Sequence, residues 1–254
     1  MNDSKNRNPL RFAPYTNALA ARKCLIVGHR GAAGLAPENT LLSFRTAFEL
    51  GCPMVELDVH RVANKGQEDS LAVIHDERVD RTTDGHGLVS EFDFAGLRSL
   101  RCEKDQLIPT LNEVLTLLIA QGDAPAAVNI ELKGPHTAAL VAKTLLQFPD
   151  TAAIISSFSW GELNAFRQYD TTTPVALLVH RWNDEVITKA SSLNATAIHL
   201  ANRIVTNERV DMITRAGMPS GVYTVNEVAR AQALQKMGVA AVFTDRPDLL
   251  LGQI

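Results

Sequence analysis

Residues 53–75 read PMVELDVHRVANKGQEDSLAVIH, and the gap inside this stretch decides the fold. PMVELDV (53–59) and LAVIH (71–75) are both short apolar runs of strand type. Only about eleven residues separate Val59 from Leu71, with Asn64, Lys65 and Gly66 among them. A parallel crossover needs a dozen or more residues, usually with a helix, whereas an antiparallel return needs only a turn. LAVIH is therefore expected to return antiparallel to PMVELDV, with residues 60–109 inserted at the end of the second strand.

Outside this hairpin, seven further apolar runs alternate with helical patterns. They are CLIVG (24–28), AAVNIEL (126–132), AAIISS (152–157), PVALLV (174–179), TAIHL (196–200), GVYTV (221–225) and AAVFT (240–244). Apolar residues at i, i+3, i+4 spacing mark helices over 39–50, 111–119, 163–169, 208–216 and 226–237. Gly51, Gly122, Gly217 and Gly238 stand where helices end in a left-handed glycine. Strand–helix alternation predicts a mostly parallel sheet. With LAVIH set aside, eight strands remain, and they predict an α/β chain of (β/α)8 TIM-barrel architecture with a small insertion after the second strand. A barrel of this kind takes about 250 residues as one unit, close to the 254 present. Residues 1–22 show no periodicity and read as an N-terminal arm, leaving 23–254 for the barrel domain.

Composition narrows the function. The chain is 46% hydrophobic and 21% charged, which excludes disorder as the dominant state. Its net charge is −3 and no run of five basic residues occurs, so the footprint of a nucleic-acid binder is missing. Three cysteines without a CxxC pair suit a reducing compartment. The first twenty residues lack the apolar core of a signal peptide, and no stretch has the length of a membrane span. These features predict a cytoplasmic protein without stable membrane insertion; they leave the oligomeric state open.

Charged residues that interrupt apolar strands carry the chemistry. Glu56 and Asp58 in VELDV are two apart and face the same way, as do Glu131 and Lys133 in NIELK. All stand near strand C-terminal ends, the face on which barrel active sites are built. Buried salt bridges with Arg30 and Lys133 would account for any one acid, but three clustered carboxylates repel one another unless a cation offsets them. Oxygen-only ligands favour a hard cation, Mg²⁺ or Ca²⁺, over zinc. His29 and Arg30 close the first strand in VGHRG, and His75 closes the hairpin strand in VIHD. Two histidines at one barrel mouth suit general acid–base catalysis. His60 shares the face of Glu56 and Asp58 and is expected beyond the rim. The remaining histidines, His199 among them, give no reason of their own for a catalytic role. Arg30 and Lys133 suit a single phosphate. Asn39 and Thr40 are sufficiently explained as caps of the first helix. Walker, dinucleotide-binding and GxSxG signatures are all absent. The residues thus predict a metal-assisted barrel enzyme for an anionic, phosphorylated substrate, with the reaction still open.

The ordered motifs GHRGAAGLAPENT (28–40), VELDV (55–59), VIHD (73–76), RTTDGHG (81–87), NIELK (129–133), SSF (156–158), VYTVN (222–226) and FTDRPDLL (243–250) resemble the glycerophosphodiester phosphodiesterase family over nearly the whole chain. The resemblance implies a TIM barrel and hydrolysis of glycerophosphodiesters to sn-glycerol 3-phosphate and an alcohol. Glu56, Asp58 and Glu131 would then hold the divalent metal, His29 and His75 would form the acid–base pair, and Arg30 and Lys133 would hold the phosphate. Glu38 would brace either Arg30 or the metal shell. Tyr223 stands where many relatives have tryptophan, at a position expected to line the glycerol side of the pocket, and Phe158 is expected either there or in the core. A lysophospholipase D-type phosphodiesterase is the alternative activity, and a non-catalytic phosphate-binding barrel the alternative outside catalysis.

Overall fold

The computed structural model describes Tyr15 and residues 23–64, 66, 68–120 and 127–254. Eight parallel strands close on themselves: β1 (Leu25–Gly28), β2 (Met54–Val62), β4 (Ala127–Lys133), β5 (Ala152–Ser157), β6 (Val175–Val179), β7 (Ala197–Ala201), β8 (Ser220–Tyr223) and β9 (Ala241–Thr244). β1 pairs with β9 on one side and with β2 on the other, which seals the barrel. β3 (Ser70–Val73) lies outside the ring, antiparallel to the C-terminal half of β2 in the register Val59↔Val73 to Val62↔Ser70. The hairpin expected from the short gap is present.

The helices are α1 (Leu41–Glu49), α2 (Phe94–Ser99), α3 (Leu111–Ile119), α4 (Thr137–Gln147), α5 (Trp160–Tyr169), α6 (Val186–Ser192), α7 (Asn207–Arg215), α8 (Val228–Lys236) and α9 (Pro247–Leu250). Thr40 caps α1 by accepting the Ser43 N–H, and Thr110 and Glu113 form a capping box on α3. Gly51, Gly217 and Gly238 follow their helices at φ of 89°, 78° and 87°, conformations that cost an L-residue strain; Gly122 falls outside the described residues.

Two cores are separated by the strand alternation. Outward-facing strand residues such as Val55, Leu57, Val128 and Ile130 pack beneath the helices. The inward-facing set at the N-terminal end is built of small residues, Ala127, Ala152, Ala176, Ala197 and Ala241, together with Leu25, Val27, Met54 and Phe243. Tyr15 fills the space these alanines leave, its hydroxyl 2.9 Å from Nε2 of His199 and its ring stacked on the imidazole. His199 is fully buried, and burial pushes its pKa down to about 3, so it is a neutral core histidine. The rest of the arm expected over 1–22 lies outside the described residues. The segment after β2 has a small core of its own, with Val62, Ala72, Ile74, Val79, Val89, Leu97, Cys102 and Ile108 in contact.

Candidate active site

The C-terminal strand ends bring the charged residues into one mouth. β2 and β4 pair with Asp58 opposite Glu131 and Glu56 opposite Asn129, so three carboxylates from two adjacent strands face one interior point. Glu56, Asp58 and Glu131 are all buried, and each offers an oxygen within 4.8 Å of the others. Glu56 Oε1 is sealed from solvent with no hydrogen-bond donor among the described residues. Asp58 Oδ1 and Glu131 Oε1 face Lys133 Nζ, at 3.3 and 2.6 Å, as ion pairs without hydrogen-bond alignment to complete them. The Lys133 ammonium and the Arg30 guanidinium, the latter shared with Glu38, do not balance these three carboxylates and leave an excess of buried negative charge. A hard cation fits that donor set.

The electrostatics follow from this crowding. Burial, then the charges of Asp58 and Glu131, push Glu56 well above the usual carboxylate range. Burial and Asp58 raise Glu131 to about 7 against the pull of Lys133. Burial acts on Asp58 as well, yet Lys133, Arg30 and His75 together outweigh it and hold Asp58 below its ordinary value. Burial lowers Lys133, but Asp58 and Glu131 overcome that and raise it, keeping the ammonium charged.

The two predicted histidines reach this mouth by different routes. His29 follows β1; its Nδ1–H donates to Asp245 Oδ1 at 2.6 Å, and its Nε2 stands 3.9 Å from Glu56 Oε2. His75 follows β3, where the Ile74 N–H donates to the Asp58 carbonyl at 3.1 Å and so returns the hairpin to the level of the acids. Its Nδ1–H donates to Asp76 Oδ1 at 2.6 Å. Burial lowers the His75 pKa, favouring the neutral imidazole. Each histidine thus has a carboxylate fixing one ring nitrogen and leaves Nε2 for other work.

Arg30 adopts φ 52°, uncommon for a side-chain-bearing residue, and its N–H donates to Glu56 Oε2 at 2.9 Å. Its guanidinium donates to Glu38 Oε1 at 2.7 Å and stands 3.4 Å from Asp58 Oδ2. Glu38 therefore braces Arg30 and, among the described residues, stands outside the three-carboxylate group. The same Glu38 receives both terminal nitrogens of Arg81, at 2.7 and 2.8 Å, while Arg81 Nε donates to Asp76 at 2.6 Å. One arginine from the insertion thereby links the braces of Arg30 and His75.

Phe158 and Tyr223 also meet at this mouth, edge to face with centroids 5.9 Å apart. Lys133 Nζ lies 5.7 Å from the Phe158 ring centre, and the Tyr223 hydroxyl donates to the Val179 carbonyl at 3.0 Å. Phe158 is 41% exposed and so lines the mouth, outside the core.

Two expectations need correction. His60 lies within β2 opposite Lys133, buried, with Nε2 3.1 Å from the His75 carbonyl, because pairing with β3 extends the strand to Val62. Asn39 does not cap α1: at φ 56° its Nδ2–H donates to Asp58 Oδ2 at 2.9 Å, while Thr40 caps alone. Sequence reasoning missed Asp245 as the partner of His29 and Arg81 as the bridge; both stand inside quoted motifs, FTDRPDLL and RTTDGHG.

Residues 29–249 match the glycerophosphoryl diester phosphodiesterase family. A glycerophosphodiester phosphodiesterase of Caldanaerobacter subterraneus is 31% identical over 91% of this chain and 98% of its own length. One from Bacillus subtilis is 31% identical over 95% and 90%. Among solved structures, an Oleispira antarctica phosphodiesterase, determined with its product sn-glycerol-3-phosphate, superposes with a TM-score of 0.84 at 26% identity, covering 92% of this chain and 98% of that one. The chain belongs to the glycerophosphoryl diester phosphodiesterase family of enzymes.

Proposed function

We propose that this protein hydrolyses glycerophosphodiesters to sn-glycerol 3-phosphate and an alcohol, using a divalent cation and two histidines. The observation that carries this reading is the buried three-carboxylate cluster with His29 and His75 beside it, each fixed at Nδ1 by its own aspartate. Glu56, Asp58 and Glu131 would hold Mg²⁺ or Ca²⁺. When bound, that cation supplies charge to offset the phosphoryl oxygens as phosphorus becomes five-coordinate. Arg30 and Lys133 orient the phosphate through charge-assisted hydrogen bonds. One imidazole takes the proton of the attacking hydroxyl, from water or the substrate's glycerol 2-hydroxyl, and the other gives a proton to the departing alcohol oxygen; on the second route a water then opens the cyclic phosphate. Phe158 and Tyr223 offer the glycerol carbons an apolar wall. No described helix is long and apolar enough to cross a membrane; we place the activity on small glycerophosphodiesters in the cytoplasm, with residues 23–254 as the catalytic barrel domain and 1–22 as its arm.

The test is release of glycerol 3-phosphate from glycerophosphocholine and glycerophosphoethanolamine with Mg²⁺, with Ca²⁺ and with EDTA. Cleavage of both that EDTA abolishes is expected. No cleavage under any metal would overturn the proposal and favour a lysophospholipid substrate or a barrel that only binds phosphate.

A further inference from the structure

Beside Tyr223, a cleft of about 640 Å³ opens among Ala201, Asn202, Arg203, Tyr223, Thr224 and Arg230, with none of the three clustered carboxylates in its lining. Its charge is one-sided. Two arginines line it and no acid does. Among the described residues, neither Arg203 nor Arg230 has a carboxylate within 4.0 Å, although the other arginines of this mouth, Arg30 and Arg81, are tied to acids. Arg230 is half-buried, so an anion at this cleft would meet its charge with less solvent screening than on an open surface.

The groups around Arg230 are neutral and fixed. Arg230 Nε donates to Asn202 Oδ1 at 2.8 Å and an NH2 hydrogen to the Asn202 carbonyl at 3.3 Å. Asn202 is held in turn by its Nδ2 donating to the Thr224 carbonyl at 3.4 Å. Arg203 spends one N–H on the His180 carbonyl at 3.3 Å. A guanidinium carries five N–H donors, so both arginines keep donors to spend, and the neutral acceptors orient them without cancelling their charge. Two guanidinium forks oriented by neutral acceptors and lining one cleft suit an anionic group.

Its position says what the anion is attached to. Tyr223 forms one wall of this cleft and packs on Phe158, which in turn faces Lys133 beside the acids. A glycerol along Phe158 and Tyr223, with its phosphate at Lys133, would extend past Tyr223 toward the cleft that Arg203 and Arg230 line. We infer that Arg203 and Arg230 form a subsite for a second anionic group, phosphate in kind, carried on the glycerol moiety of the substrate. This rests on the phosphodiesterase reading above and adds a substrate class to it: glycerophosphodiesters whose glycerol is itself phosphorylated.

The experiment compares two substrates with one leaving group, glycerophosphocholine and its derivative phosphorylated on the free primary glycerol hydroxyl. Hydrolysis of the latter adds one water across the bond to choline and yields choline and a glycerol bisphosphate. In the wild type the phosphorylated substrate is expected to have a KM about tenfold lower, an advantage that fades as salt screens it. Arg203→Gln and Arg230→Gln should each cut the ratio of kcat/KM between the two substrates by about tenfold, and Arg230→Lys by less, since it keeps the charge but not the fork. Arg203 is exposed, so its variant guards against a folding artefact at Arg230. Free inorganic phosphate at millimolar concentration should erase the preference by competing for the same donors. A wild type with no preference, a ratio that survives both glutamine variants, or a preference indifferent to phosphate overturns the subsite. Turnover of neither substrate would instead remove the phosphodiesterase reading, and the subsite with it.

Discussion

Asp245 accepts from both His29 Nδ1 at 2.6 Å and Asn226 Nδ2 at 2.8 Å. A carboxylate so held fixes which ring nitrogen carries the proton and which way the imidazole points. Asp245→Asn keeps the shape but offers its amide to the same nitrogen. We expect kcat to fall about 10²-fold with little change in KM. Paired with His29→Ala, the loss should be no larger than for His29→Ala alone, because the two act as one unit; additive losses in the double mutant would show that Asp245 works elsewhere. Arg81 offers a second residue-scale prediction. Its side chain is half exposed, so the ion pairs it makes are worth within about 1 kcal/mol of stability. Its two carboxylates brace Arg30 and His75, however, so Arg81→Ala should lower kcat about tenfold while scarcely moving the urea midpoint. Equal, small effects on both would leave Arg81 a surface residue. Asn39 shows why single residues can mislead. An asparagine before a helix is satisfied by local capping chemistry, and only the tertiary approach of β2 turns it toward Asp58.

At the scale of elements, the chain's own spacing gave away the topology. Eleven residues between two apolar runs leave no room for a crossover, and the hairpin that results carries His75 to the acids. Periodicity of two put Glu56 and Asp58 on one face, and the register of β2 with β4 then set Asp58 against Glu131. What spacing could not show is which side chains of neighbouring strand ends would bond one another on closure. His29 and Asp245 are 216 positions apart and meet because β1 pairs with β9. The extension of β2 through His60 was hidden too, since HRV breaks the apolar run that marks its first half. β8 supplies a prediction at this scale. Gly221 faces inward, and a Cβ there would stand 2.7 Å from His199 Cδ2 and 3.0 Å from Phe243 Cε2. Those rings are locked against Tyr15 and the alanine layer, so Gly221→Ala should overpack the barrel and cost about 1–3 kcal/mol in a urea titration. A neutral substitution would mean that the floor can yield.

Across the whole molecule, the strands direct three acids to one point and the fold bears the cost, which makes stability, pH and metal a single linked problem. Glu131 titrates near 7 in the folded chain and Glu56 is raised as well, against about 4.3 for an unfolded glutamate. Between those values the folded state holds more protons than the unfolded one, so stability falls as pH rises through the window, by up to about 4 kcal/mol for Glu131. Asp58 has the opposite sign: its lowered pKa gives stability present above about 3.9 and lost below it, outside the same window. Protein stripped with EDTA is therefore expected to have a higher urea midpoint at pH 5.5 than at pH 8. On the proposed reading Mg²⁺ or Ca²⁺ would compete with the protons on Glu56 and Glu131, so its stabilisation should be small at pH 5.5 and large at pH 8. Glu131→Gln supplies the control, because removing the charge should flatten the pH dependence of the stripped protein and weaken the cation's effect together. Stabilisation by the cation of equal size at both pH values would mean that these protons and the metal do not share a site, and the carboxylate cluster would lose its assignment.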